Sequence, residues 1–67
     1  MAAQTEQDLI NAAYGDAVRN LYQVFAQAYT AALGAATGQQ QAEANFQRGI
    51  THARHVRDRA IALIPPQ

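Results

Sequence analysis

The 67-residue sequence contains no cysteine, no serine, no lysine and no tryptophan. Without cysteine there is no disulfide staple and no thiolate zinc site. Without cysteine or serine, the commonest side-chain nucleophiles are missing. No paired-carboxylate pattern and no glycine-rich phosphate loop takes their place, so the chain is expected not to be an enzyme and to need no cofactor. No apolar run approaches the ~18 residues that span a bilayer. The opening "MAAQTEQDL" lacks the basic and apolar regions of a signal peptide. The expected location is the cytoplasm, without a membrane partner.

Charge of either sign is also scarce. The formal net charge is zero, which gives the whole molecule no long-range pull toward nucleic acid or anionic lipid. The halves differ, however. Residues 1–37 carry Glu6, Asp8 and Asp16 against Arg19, whereas residues 38–67 carry Arg48, Arg54, Arg57 and Arg59 against Glu43 and Asp58. An acidic and a basic element suit side-by-side packing.

What remains is dominated by alanine and glutamine, with few β-branched residues and proline only at Pro65 and Pro66. This composition predicts an all-α chain. Thr5, followed by Glu6, Gln7 and Asp8, predicts an N-cap with acids in the first helical turn, where the helix dipole favours them. The residue before a proline is pushed out of the α region, so a helix should stop near Ile64. Between these ends lies "LGAATGQQQ". Gly34 and Gly38 are both candidate stops. Apolar heptad positions continue through Ala35, which places the turn near Thr37-Gly38, with Thr37 and Gln40 capping the next helix. The expected fold is a single hairpin domain over residues 1–67, with antiparallel helices at about 5–36 and 39–64.

Helix 1 keeps a 4-3 spacing through Ile10, Tyr14, Ala17, Leu21, Val24, Ala28, Ala31 and Ala35, widened by Val18, Phe25 and Ala32 and further by Tyr22 and Tyr29. That apolar arc covers about half the circumference, more than one neighbour can cover. Helix 2 repeats the spacing through Ala42, Phe46, Gly49, Ala53, Val56, Ala60 and Leu63, with Ile50 and Ile64 on one shoulder. With the turn near residue 37, Phe46 should meet Ala28, Gly49 should meet Phe25 or Val24, Ala53 should meet Leu21 or Tyr22, and Ala60 should meet Tyr14. Large would then face small in nearly every layer.

A domain this small rarely gains more than ~3–5 kcal/mol from its own core. Self-association is the expected remedy: a homo-oligomer, with a dimer as the simplest form, in which hairpins pair as a four-helix bundle. Ile10, Tyr14, Leu21, Val24, Phe25, Phe46, Ile50, Val56 and Leu63 are the expected core and subunit seam. In length and layout this resembles the repressor-of-primer proteins, hairpin dimers that bind paired RNA loops. The likeness involves no shared motif, and no residue role is carried over from it.

One stretch, "THARHVRDR", concentrates both histidines and three of the five arginines. His52 and His55, with Arg48 and Arg59, form a stripe along helix 2, roughly a third of a turn around from its seam. Imidazoles three apart can chelate, but two cations bracket them and no carboxylate shares the stripe, so no metal is expected. Arginine forks phosphate well, which keeps a dimeric nucleic-acid-binding regulator as the alternative. Arg54 and Arg57 point to the other flank, where Asp58 is expected to pair with Arg54. The favoured reading of the stripe is a solvated or subunit-contacting face. Tyr22 and Tyr29 offer a shoulder for another protein. The function expected is a structural or adaptor module for protein–protein interaction. A subunit of a larger particle or filament is a third reading.

Overall fold

A computed structural model describes residues 4–66; residues 1–3 and 67, the ends of the expected hairpin, lie outside the described residues. Two helices, α1 (Glu6–Ala31) and α2 (Ala36–Ala62), pack antiparallel, with no strand among the described residues. The start of α1 follows the sequence closely. Thr5 Oγ1 accepts from the Asp8 N–H at 3.1 Å, and the Thr5 N–H donates to the Asp8 carboxylate at 3.3 Å. Two otherwise orphaned donors are thereby satisfied by each other's residues. At the far end, the Leu63 N–H still reaches the Arg59 carbonyl at 3.1 Å before Pro65 ends the helix.

The turn lies earlier than the expected Thr37-Gly38. It spans Ala32–Ala35, closed by the Ala35 N–H on the Ala32 carbonyl at 2.9 Å. Gly34 takes φ +83° at its third position, a conformation that other residues adopt only with strain. The expected ranges 5–36 and 39–64 therefore shift. Alanine favours helix on either side of a turn, so the run through Ala35 and Ala36 carried no information about where the turn falls. Ala35 caps α2 without a side-chain bond, and the expected Thr37 cap is absent because Thr37 sits inside the first turn of α2.

Moving the turn moves every partner. Leu21 packs against Gly49, Phe25 against Phe46 with ring centroids 5.0 Å apart, and Tyr14 under Arg57. The expected pairs of Phe46 with Ala28, Gly49 with Phe25 or Val24, and Ala53 with Leu21 or Tyr22 are displaced by about one helical turn. One turn is about 3.6 residues, so the same faces still meet. The size complementarity changes, however. Phe25 and Phe46 bring two large rings together, whereas Ala17 with Ala53 and Ala28 with Ala42 bring small residues together. Small-against-small layers leave open grooves between the bulky ones.

The hairpin is a flat ribbon, 53 × 24 × 8 Å over its Cα atoms. Its radius of gyration is 15.8 Å, against about 11 Å for a compact chain of this length. Among the described residues only Ala42 is buried, at 5% exposure. Two helices side by side leave each other's flanks open, and here large apolar side chains, Leu9, Tyr22, Val24, Val56 and Leu63 among them, stand exposed.

Candidate functional site

One broad face of the ribbon carries a groove between the helices. Towards the chain ends it is lined by Ala13, Ala17, Ala53 and Val56, and towards the turn by Val24, Ala28, Ala42 and Asn45. Leu21, seated on Gly49, forms the ridge between these two parts. Leu9 lies one turn before Ala13, and Leu63 lies seven residues after Val56, so both fall on this same face. Leu9, Val24, Val56 and Leu63 are all more than half exposed.

The opposite face is better filled. Tyr29 packs its ring 5.4 Å from Phe25, and Val18, Ile50 and Ile61 are half-buried there. Tyr22 remains exposed on it. The tyrosine shoulder is therefore divided: Tyr29 belongs to the packing, and Tyr22 projects into solvent.

Of the expected seam residues, Ile10, Tyr14, Leu21, Phe25, Phe46 and Ile50 are half-buried in the single chain. Val24, Val56 and Leu63 are exposed, because they flank the contact between the helices instead of entering it.

The basic stripe is present as a continuous exposed strip. Arg48, His52 and His55 line one shallow surface with Ala44, Gln47 and Thr51, and Arg59 continues it one turn further. No acidic side chain lines that surface. His52 also lines the apolar groove, so the stripe is the α2 rim of the groove. No group of three or more His, Cys, Asp or Glu capable of holding a metal occurs among the described residues. Nor is any described helix long and apolar enough to cross a membrane.

Arg57 departs from the expected flank arrangement. Its guanidinium lies 4.5 Å from the Tyr14 ring centre, and it pairs with Asp58 at 2.9 Å. The expected Arg54–Asp58 pair is replaced by this one because Arg57 points across the helix contact, where a ring face is available to the cation. The sequence signal for the pairing is visible only once the turn is placed at Gly34, which brings Tyr14 level with Arg57. The groove had a signal as well: Leu9, Ala13, Ala17 and Val24 recur at multiples of one turn beside the seam.

No family model, curated protein or solved structure matches the chain.

Proposed function

We propose that the chain is a non-enzymatic, self-associating helical hairpin that serves as a structural or adaptor module, two copies completing a four-helix bundle. The observation that carries this reading is unsatisfied burial. The chain of 7.3 kDa exposes 5420 Å², against about 4,200 Å² for a compact folded monomer of that mass. Leu9, Tyr22, Val24, Leu33, Val56 and Leu63 each stand more than half exposed on that surface, and removing such side chains from water drives association. Sedimentation or light scattering at micromolar concentration is expected to return at least twice the chain mass. A monomer with a sharp, cooperative melt overturns the proposal.

A second reading, a nucleic-acid-binding regulator, is favoured by the exposed strip of Arg48, His52, His55 and Arg59. It is weaker because Arg57 is turned onto Tyr14 and the net charge is zero. It requires RNA or DNA to be shifted at low salt, with affinity falling steeply as salt is added. A variant with Arg48, His52, His55 and Arg59 all replaced by glutamine would then lose that shift. In the third reading, a subunit of a larger assembly, the apolar arc of α1 would engage a different surface of the next copy.

A further inference from the structure

We infer that the occupant of the apolar groove is a second copy of the chain, its α1 laid antiparallel on α2, with its Asp16 brought beside His52. This rests on the self-association proposed above and adds which face is used, in which direction, and through which charges.

Area comes first. The excess exposed surface, about 1,200 Å² per chain, exceeds the ~800 Å² per partner that a stable interface buries. One face of the ribbon, 53 × 24 Å over its Cα atoms, is broad enough to bury that area. The groove face presents Leu9, Val24, Val56 and Leu63 with alanine-lined hollows between them. Those hollows can receive the same large side chains from a facing copy, as a self-complementary interface requires. The tyrosine face has already filled much of its relief with Phe25, Tyr29 and Ile50.

Charge then selects the orientation. Face-to-face pairing by a two-fold axis allows two arrangements. An axis across the ribbon lays α1 on α1 and α2 on α2. An axis along the ribbon lays α1 of each copy on α2 of the other. The α2 rim of the groove carries Arg48, His52, His55 and Arg59, so α2 on α2 brings cations onto cations. The α1 rim runs Leu9, Asp16, Gln23, Gln27, with Asp16 as its one charge. Within the hairpin, Leu21 is level with Gly49 and Tyr14 with Arg57, which sets Asp16 level with Arg54, two residues from His52. An axis along the ribbon preserves that level between copies. The Asp16 carboxylate of each copy then meets the His52–His55 segment of the other, and all neighbouring helices run antiparallel. The existing Arg19–Asp16 pair at 3.1 Å is exposed, 80% and 72%, and offers little resistance to a new partner.

Two experiments test this. In the first, chains bearing Asp16→Cys or His52→Cys, unambiguous because the native chain has no cysteine, are treated with a short bis-maleimide separately and mixed. Circular dichroism checks that each stays helical. Cross-linked dimer should form in the mixture and not in either chain alone. Dimer from each chain alone would establish α1 on α1 and overturn the inference. A dimeric mass without any cross-link would also overturn it, because the rims would then be apart. A monomeric mass of the unaltered chain would instead sink the self-association reading itself. In the second experiment, Val24→Glu is compared with Tyr22→Glu. Both positions are similarly exposed in the single chain, 64% and 61%, so folding tolerates either. Val24→Glu should weaken the dimer roughly tenfold or more, as an unpaired charge in an interface core does. Tyr22→Glu should leave it intact. The reverse outcome would place the interface on the tyrosine face.

Discussion

A Cβ atom added to Gly49 would stand 2.5 Å from Leu21 Cδ2, closer than any real side chain tolerates. Leu21 thus occupies the space that a side chain on α2 would otherwise take. The two helices meet at that level through one large and one absent side chain, with the alanine-lined hollows on either side of this ridge. Enlarging Gly49 should therefore cost stability even though it removes a helix-weakening glycine. Gly49→Val is expected to lose ~1–3 kcal/mol by overpacking. In a Leu21→Ala background the loss should shrink, because the obstruction is gone. Thermal melts of the four chains measure the coupling, and additive effects would mean that the two residues do not share the site.

Leu21→Ala alone removes the ridge of a small core. Truncations of large core residues cost ~2–5 kcal/mol, and half-burial in the single chain places this one towards the lower end. Arg48→Ala, on the exposed rim, should change the melt little. Equal loss from both would refute the assignment of Leu21 to the helix contact.

Gly34 and Gly15 should respond to alanine with opposite signs. Gly34 has φ +83°, where a Cβ is strained, so Gly34→Ala should destabilise by about 1–2 kcal/mol. A Cβ at Gly15 meets nothing within 4 Å, so Gly15→Ala should gain about 0.5–1 kcal/mol through helix propensity. The gain is expected to persist in the dimer, because Gly15 lies on the tyrosine side of α1. A loss at Gly15 under dimeric conditions would point to a neighbour seated there.

Thr5→Ala removes the side-chain half of the reciprocal cap, the Oγ1 that accepts from the Asp8 N–H, and should cost about 1 kcal/mol. Thr5→Ser keeps the accepting oxygen and should be close to neutral. Amide exchange in the first turn of α1 distinguishes the two, with faster exchange expected only for the alanine variant.

Much of the hairpin was legible in the residues. Helix type followed from composition, the start of α1 from Thr5 and Asp8, the end of α2 from Pro65, and the two apolar faces from a 4-3 recurrence that any straight helix turns into a stripe. These are local properties, decided by a residue and its neighbours within a turn or two. The choice between Gly34 and Gly38 was not local. Both glycines can stop a helix and the alanines between them fit either one, so the outcome depended on which layers of α1 and α2 packed. That choice set Leu21 on Gly49 in place of Phe25, put Tyr14 under Arg57, and paired alanine with alanine to open the groove. Periodicity could show that α1 has more apolar surface than one neighbour covers. Only the packed pair of helices divided that surface into a filled face with Tyr29 and Phe25 and a hollow face with Val24 and Val56, because depth arises between two helices and has no counterpart along either one.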